Sequence, residues 1–410
     1  MDNSKEIPGR NIFIIGAKSI GQYGGYESFV DHLTEQHPFR PGLHYHIIIK
    51  ANGEGAMDES VLRGAEKLDE HSFLYHGAKV VKVQVPKIGH AQAIVYDIRA
   101  WKKCLRYVRC HGTEKPIFYV LGCRRWLSFR GLVKKAHKLG GRVFVNPDGH
   151  EWKRGKWPAF VRLYLKKCEK TMVRFADLVV CDSLNIEDYI AETYAACKPR
   201  TKYIAYGAES TPSSLKDDSP PFMQWLAENH VSAQEYYMCC GRFVPENNFE
   251  TIIREFMKSS TQKPLVIIAT ENNRFLKELR RKLKFESDSR IRFARPVYDR
   301  ELLKKIRENA FANIHGHTVG GTNPSLLESL AATSVNLVFD VCFNREVADD
   351  AAVYWNSENG SLAALVNRAE AMPPEERHAL EEKAKKRIRC VYSWERIAAQ
   401  YEELFMDKER

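Results

Sequence analysis

Residues 320–331 read GGTNPSLLESLA and combine a glycine turn, a helix start and a carboxylate one turn inside the helix. Pro324 suits the first helical position because its missing N–H would have no intrahelical partner there, and Asn323 before it can cap the next amides. Amides at a helix start attract phosphate, the glycines allow a ligand close to the backbone, and Glu328 can accept hydrogen bonds from sugar hydroxyls. The segment predicts a nucleotide-sugar site, although an ordinary loop-to-helix junction can have the same pattern.

A second glycine loop lies near the N-terminus. Residues 11–16 read NIFIIG, which is typical of a short buried strand, and Gly21, Gly24 and Gly25 precede an amphipathic helix that opens at Tyr26. The loop has no Gly-x-Gly-x-x-Gly, and the residues after Gly21 are not the Lys-Ser/Thr of a P-loop. The pattern therefore predicts half of a nucleotide-binding unit and weighs against kinase-like and dehydrogenase-like proteins.

Polar residues follow another predicted strand, at residues 142–146. The sequence continues from Asn146 as NPDGHEWKR, and α/β folds usually place ligands at the carboxyl ends of strands. Asp148, His150 and Glu151 are therefore candidates for positioning or deprotonating a substrate hydroxyl, or for contacting a bound sugar. Hydrogen bonds within the loop and a metal site are the alternatives, although Asp-x-His-Glu is too short to define a metal site.

Composition limits the class of protein. The chain has 410 residues, 44% hydrophobic content and a formal net charge of +11, which suits two or three domains with sizeable cores and an anionic partner. No apolar run reaches the roughly 18 residues of a membrane span, and residues 1–10 are too short and polar for a signal peptide. We expect a soluble, cytoplasmic protein. The ten cysteines include no Cys-x-x-Cys, so neither a zinc site nor a thioredoxin motif is indicated.

Basic residues alternate with aromatic ones in the first half of the chain. Residues 124–130 (RRWLSFR) and 153–157 (KRGKW) precede a predicted basic helix. This composition favours contact with anionic lipid headgroups. A solvated basic face and nucleic-acid binding are the alternatives, and no RNA- or DNA-binding module is recognisable. The cations of the helix are Arg162, Lys166, Lys167, Lys170 and Arg174.

Two series of alternating strands and helices predict two α/β domains with parallel sheets. A stretch rich in Ser, Pro and Asp at residues 210–221 separates the series and resembles a linker. The strands are predicted at residues 11–16, 45–49, 117–121, 142–146, 236–240, 265–269, 290–293 and 312–315.

Three segments resemble the retaining glycosyltransferases of family 4, which have the GT-B fold. They are residues 16–29 (GAKSIGQYGGYESF), residues 241–248 (GRFVPENN) and residues 315–328 (HGHTVGGTNPSLLE). Their order matches the family across nearly the whole chain. The similarity is closest to the bacterial rhamnosyltransferases that build capsule and cell-wall rhamnose polysaccharides, because the first and third segments are specific to that subgroup.

The resemblance implies a GT-B fold, with two Rossmann-like domains facing each other across a cleft. Residues 1–209 would bind the acceptor and residues 210–390 the nucleotide sugar, while residues 391–410 would form a helix that crosses back to the first domain. Arg242 would neutralise the donor diphosphate together with the helix start, and Glu328 would bind the sugar of the nucleotide. The other donor-binding residues that the resemblance implies are Gly24, Gly25, Asn247, His317, Gly320, Gly321, Thr322 and Asn323.

Two positions depart from the wider family. Asn247 stands where a diphosphate-binding Lys is usual, and Gly320 stands where the first Glu of Glu-x7-Glu is usual. The subgroup looks similar in both departures. Arg242 and the loop amides would then neutralise more of the phosphate charge, with Arg295 and His317 as further candidates.

The implied activity is transfer of L-rhamnose from dTDP-L-rhamnose to a lipid-linked saccharide acceptor with retention, at the inner face of the cell membrane. Arg242 and the carboxylates and imidazole of Asp148, His150 and Glu151 are the expected catalytic groups, with no metal, no cofactor and no protein nucleophile. The alternatives are a transferase for a UDP- or GDP-sugar and a non-catalytic partner subunit that binds nucleotide sugar or lipid. The expected partners are the nucleotide sugar, the acceptor and an anionic membrane surface, and no nucleic acid.

Overall fold

The protein forms two compact α/β units. The computed structural model describes residues 9–22, 24–36, 42–57, 59–89, 92–155, 157–270 and 273–406. Unit 1 contains Met1–Trp152, Trp157–Tyr206 and Trp394–Arg410, and unit 2 contains Lys153–Lys156 and Gly207–Ser393. Each unit is built on one mainly or wholly parallel sheet, which confirms the predicted fold class.

The sheet of unit 1 has the strand order β3-β4-β5-β2-β1-β6-β7-β8-β9. Its centre is buried on both faces, as the continuous apolar sequences of the predicted strands require. The strand order reverses direction between β1 and β6, and this reversal is where open α/β sheets usually bind ligands. The strands are β1 Arg10–Ile15, β2 Leu43–Lys50, β3 Glu66–Asp69, β4 Ser72–Tyr75, β5 Ala78–Val83, β6 Ile117–Leu121, β7 Arg142–Asn146, β8 Leu178–Cys181 and β9 Thr201–Tyr203.

One edge of this sheet is an antiparallel hairpin pair that the sequence analysis did not predict. Strand β4 pairs antiparallel with both β3 and β5. At the first turn the Asp69 carboxylate accepts hydrogen bonds from the His71 amide and the Ser72 hydroxyl. At the second turn His76 and Gly77 both have positive φ, which is the geometry of a tight hairpin. The strands are too short to show in the hydrophobic pattern.

The helices of unit 1 cover both faces of its sheet, and the last helix of the chain lies among them. Trp394 stacks on His32 at 4.7 Å between ring centroids, and the hydroxyl oxygens of Tyr401 and Tyr119 lie 3.0 Å apart. The C-terminal helix therefore packs into the core of unit 1. The helices are α1 Gly25–Glu35, α2 Gln92–His111, α3 Phe129–His137, α4 Ala159–Phe175, α5 Leu184–Thr193 and α14 Trp394–Met406.

Unit 2 contains a parallel sheet with the order β12-β11-β10-β13-β14-β15. One hydrophobic cluster packs on each face of it. The order reverses between β10 and β13. The strands are β10 Tyr237–Gly241, β11 Leu265–Ala269, β12 Ile291–Ala294, β13 Ala312–His315, β14 Asn336–Phe339 and β15 Val353–Trp355, and the helices are α6 Pro220–Glu228, α7 Phe249–Lys258, α8 Asn273–Leu283, α9 Arg300–Glu308, α10 Pro324–Ala332, α11 Cys342–Ala348, α12 Ser361–Ala371 and α13 Pro374–Arg387.

The segment predicted as a linker is bound to unit 2. The Ser213 amide donates to the Glu308 carboxylate at 2.6 Å, and the Ser213 hydroxyl donates to the Glu301 carbonyl oxygen at 2.8 Å. Helix α6 already begins at Pro220. Ser, Pro and Asp in this stretch therefore belong to a hydrogen-bonded loop and a helix start rather than to a loose connection.

Candidate functional site

The reversal point of unit 2 brings together most of the predicted donor-binding residues. Strand β10 ends at Gly241 and is followed by the exposed Arg242, while β13 ends at His315. Both strand ends pack closely on the turn that contains Asn247. A Cβ atom on Gly316 would lie 2.6 Å from the Asn247 carbonyl oxygen, and one on Gly241 would lie 3.2 Å from Asn247 Nδ2. A side chain at position 316 would push this turn away from the strand ends.

Asn247 stabilises the turn that follows β10. Its side chain is buried, and its Nδ2 donates to the Arg242 carbonyl oxygen at 2.7 Å. The amide and hydroxyl of Thr318 both donate to the Glu246 carbonyl oxygen, which ties the loop after β13 to the same turn. Asn247 thus has a structural role next to Arg242, and the donor-binding role implied by the resemblance stays a prediction.

Two stacked histidines follow β13. The rings of His315 and His317 lie 4.4 Å apart and 12° from parallel. Burial lowers the pKa of His315 to about 3, with a further contribution from the Arg307 guanidinium. Burial also lowers the pKa of His317 well below its ordinary value, and His315, Arg242 and Arg154 lower it further. Both rings are therefore neutral at pH 7, so they can form hydrogen bonds but cannot supply positive charge to a phosphate.

Helix α10 begins as predicted, at Pro324, and Asn323 is its N-cap. The Asn323 side chain accepts hydrogen bonds from the Ser325 and Leu326 amides at 3.0 and 3.4 Å. The cap occupies these two amides, so a ligand at this helix would rely on the dipole and on loop amides that precede the cap. Gly320 has a φ of 154°, and a Cβ atom there would meet nothing within 4 Å. Gly321 and Thr322 connect it to the cap.

Glu328 lies one turn inside α10, and its carboxylate is paired with a buried arginine. Its Oε2 lies 2.6 Å from Nη2 of Arg307, which extends from α9, and the Glu328 side chain remains 31% exposed. Sequence analysis did not identify Arg307, because a charged residue near a helix end is normally solvated. The pair fixes the position of Glu328 and leaves part of its carboxylate accessible.

Asn344 is a second residue that sequence analysis missed. It is buried on α11, and its Nδ2 donates to the carbonyl oxygens of His317 and Phe339 at 3.0 and 2.9 Å. These bonds hold the loop after β13 against the end of β14. A single Asn in a helical stretch gives no sequence signal for such a contact.

Gly24 and Gly25 lie at the start of α1 in unit 1, at the carboxyl end of β1. A Cβ atom on Gly24 would lie 2.4 Å from Glu27 Oε2, whereas one on Gly25 would meet nothing within 4 Å. The other Glu27 oxygen accepts the Lys18 amide at 2.9 Å, so the glycine loop is folded around Glu27. Gly25 therefore has open space beside it, whereas a side chain at position 24 would clash with Glu27.

The loop after β7 has an unusual backbone. Asp148 and His150 have φ values of 62° and 54°, a left-handed conformation that non-glycine residues seldom adopt outside functional or tightly constrained loops. The Asn146 side chain accepts the Asp148 amide at 2.8 Å, and the His150 ring packs against Tyr189. Glu151 accepts a hydrogen bond from the Trp157 indole at 2.9 Å, so one of its carboxylate oxygens stabilises the loop.

Of two arginines predicted on a membrane-facing surface, Arg125 is buried in unit 1 and Arg124 is half-buried. Arg125 is 2% exposed and donates to the Ser128 hydroxyl. It lies in the electrostatic neighbourhood of Asp97, a buried carboxyl whose pKa is raised by burial and lowered by Arg124 and Arg125. Burial alone would lower the pKa of the Arg124 guanidinium, but the neighbouring carboxylates Asp97 and Asp148 help to raise it above its ordinary value. The assignment of Arg125 to an exposed basic surface is wrong, because its side chain is buried close to the Asp97 carboxyl.

The other residues of the predicted basic surface lie in different environments. Lys166 is paired with Glu169 at 3.1 Å and lies 4.2 Å from the centre of the Trp152 ring, and 29% of its side chain remains exposed. Arg154 belongs to unit 2, and Lys156 lies outside the described residues. Arg162, Lys167, Lys170 and Arg174 are exposed on α4 as predicted.

Large apolar side chains are exposed beside these cations. Leu127, Phe160 and Leu163 are 86%, 75% and 59% exposed, and we call them the α4 patch. The Tyr164 hydroxyl donates to the Arg124 carbonyl oxygen, and Lys167 lies over the Trp126 ring at 4.7 Å, which holds the loop before α3 next to α4.

The described residues contain no helix that is both long and apolar enough to cross a membrane. No group of three or more His, Cys, Asp or Glu side chains among them is arranged to hold a metal ion.

Comparisons with solved structures identify the fold. Sucrose-phosphate synthase from Thermosynechococcus elongatus superposes with a TM-score of 0.71 at 16% identity, covering 97% of this chain and 98% of that one. An α,α-trehalose-phosphate synthase (UDP-forming) from Burkholderia xenovorans in complex with glucose-6-phosphate gives 0.70 at 13% identity, with 97% and 100% coverage. Anabaena HepE in complex with UDP gives 0.65 at 13% identity, with 96% and 99% coverage.

The fold is GT-B. A protein-family model described as a domain of unknown function, DUF1972, matches residues 9–209, which lie mostly in unit 1. A search of curated protein sequences finds no match. The comparisons thus confirm the GT-B fold implied by the resemblance.

Proposed function

We propose that the protein is a retaining glycosyltransferase whose unit 2 binds a nucleotide diphospho-sugar. The observation that carries the proposal is the grouping of Arg242, the neutral His315–His317 pair, the capped start of α10 and the partly exposed Glu328 at the reversal point of the sheet. Arg242 and the α10 dipole stabilise the negative charge that develops on the departing diphosphate. Glu328 accepts hydrogen bonds from the sugar of the nucleotide.

The proposed donor is dTDP-L-rhamnose, on the strength of the resemblance to bacterial rhamnosyltransferases. UDP- and GDP-sugars are the alternative donors. Among the structural relatives, HepE was solved in complex with UDP, and the Burkholderia xenovorans synthase is UDP-forming. The acceptor in this proposal is a lipid-linked saccharide used for capsule or cell-wall polysaccharide. Asp148 and His150 position its hydroxyl, with Glu151 holding their loop, and the departing phosphate oxygen takes the proton.

Calorimetric titration with UDP, dTDP and GDP tests the donor site. The wild-type protein is expected to bind at least one of them, and Arg242→Ala is expected to weaken that binding by about 10-fold or more, since hydrogen bonds to charged groups contribute roughly 1.5–3 kcal/mol. Arg281→Ala is the matched control, because Arg281 is an exposed arginine of helix α8 in the same unit and has no proposed contact with the donor. Equal affinities of the wild type and Arg242→Ala would contradict the role of Arg242.

We further propose that the α4 patch contacts the inner face of the cell membrane as a peripheral interface. Burying Leu127, Phe160 and Leu163 in lipid contributes roughly 1.5–3 kcal/mol for each side chain, and the cations of α4 meet anionic headgroups. Phe160→Glu with Leu163→Glu is expected to abolish sedimentation with phosphatidylglycerol vesicles. Met223→Glu, at an exposed apolar residue of unit 2, is the control, and unchanged sedimentation of the α4 double variant would overturn this proposal.

A further inference from the structure

Residues 153–156 belong to unit 2, although the chain on either side of them belongs to unit 1. The segment runs against the turn after β10. A Cβ atom on Gly155 would lie 3.6 Å from Oε1 of Glu246, which precedes Asn247 in this turn. Residue 155 thus lies next to the turn that follows Arg242 in the chain.

The charges around this segment are mainly positive. Arg154 and Arg242 both contribute to the depressed pKa of His317, after burial and His315, so the two guanidinium groups share one neighbourhood. His315 and His317 are neutral there, and Glu246 is the carboxylate that the described geometry brings next to the segment. The positive end of α10 adds to the same field, since the loop from His317 leads directly into its cap. Nε of Arg154 is shielded from solvent, which strengthens its interaction with a nearby anion.

We propose that Arg154 is a diphosphate-binding residue of unit 2 and acts with Arg242. The inference rests on the proposed function. A diphosphate diester carries one negative charge on each phosphate, and two guanidinium groups can each bind one phosphate through paired N–H groups. The neutral His317 in the same neighbourhood can donate or accept a hydrogen bond without adding charge. The Asn247 side-chain amide already donates a hydrogen bond to the Arg242 carbonyl oxygen, so it needs no direct contact with phosphate.

Calorimetric titration of Arg154 variants with UDP and dTDP tests this assignment. Arg154→Ala is expected to lower affinity for the diphosphate that the wild type binds by about 10- to 100-fold, while affinity for the corresponding free nucleoside stays unchanged. Arg154→Lys is expected to recover part of the loss, because it restores the charge but not the planar fork. Lys153→Ala is the matched control, since Lys153 is an exposed cation of the same segment.

The outcomes separate this inference from the proposed function. If Arg154→Ala melts like the wild type and binds the diphosphate with wild-type affinity, Arg154 is not a phosphate ligand, and the proposed function stands. If Arg154→Ala and Arg154→Lys both lose diphosphate and nucleoside binding equally, the residue acts on the fold alone and the inference fails. If the wild type binds neither UDP, dTDP nor GDP, the proposed function fails and this inference fails with it.

Discussion

The pair of Glu328 and Arg307 gives one carboxylate two tasks. Arg307 is buried, so removing the charge of its partner leaves a guanidinium without compensation. Sequence reasoning alone leads to the expectation that Glu328→Gln weakens donor binding without affecting stability. The paired geometry instead leads us to expect that Glu328→Gln both weakens donor binding and lowers stability. One carboxylate oxygen is paired with Arg307, and the exposed part of the carboxylate is available to a ligand.

Glu328→Gln is expected to lower the free energy of unfolding by about 1–2 kcal/mol, discounted for the exposed part of the side chain. It is also expected to reduce kcat/KM by about 10- to 150-fold, because a charge-assisted acceptor becomes a neutral one. Melting curves and donor kinetics measure the two effects. Asp340→Asn, which breaks the exposed pair with Arg345, is the control and should change neither. Wild-type kinetics in a destabilised Glu328→Gln would remove Glu328 from the donor site.

The depressed pKa of His315 links stability to pH. Below pH 6.5 the unfolded chain binds a proton at His315 that the native protein does not bind until about pH 3, so the free energy of unfolding falls as the pH falls between these values. At pH 5 this contribution is a loss of about 2 kcal/mol relative to pH 6.5. Urea unfolding of His315→Gln should therefore depend less steeply on pH than that of the wild type. His378→Gln, at an exposed position on α13, is the control, and equal slopes for His315→Gln and the wild type would contradict the assignment.

At the scale of elements, the start of α10 combines a structural cap with a proposed phosphate site. Asn323→Ala removes the cap and is expected to lower the free energy of unfolding by about 1 kcal/mol, whereas Asn323→Asp keeps an oxygen acceptor and should preserve stability. Asp at this position adds a negative charge next to the proposed diphosphate, so nucleoside diphosphate binding should weaken in Asn323→Asp despite normal melting. Calorimetry and melting curves on both variants measure this. Unaltered binding by Asn323→Asp would place the phosphate elsewhere.

Elements with a strong local signal could be predicted from the sequence. Strands β6, β7, β11 and β13 were predicted with the bounds that the structure shows, because each is an apolar run bounded by polar or turn residues. Helix α10 was predicted from the Asn-Pro start alone. The hairpin at β3–β5 was missed, since its strands are short and β3 is exposed along its length.

At the scale of the whole molecule, the two-unit GT-B fold could be predicted from the order of its motifs, but the environment of individual charges could not. Arg125, Lys166 and Arg307 look like surface cations in the sequence. Arg125 instead lies close to the buried Asp97, Lys166 lies against the Trp152 ring, and Arg307 is paired with Glu328. Arg154 was expected on a membrane surface and lies in unit 2. Burial of a charge depends on tertiary partners, which hydrophobic periodicity does not encode.

The most direct test of the whole account is product analysis with the purified chain. The protein is incubated in excess EDTA with dTDP-L-rhamnose, UDP-sugars and GDP-sugars and a lipid-linked saccharide acceptor, and the products are analysed by mass spectrometry. We expect the acceptor to gain one sugar residue and the matching nucleoside diphosphate to be released, with dTDP-L-rhamnose as the preferred donor and no requirement for added metal. Absence of transfer from every donor, or transfer that occurs only after Mg²⁺ or Mn²⁺ is restored, would contradict the account.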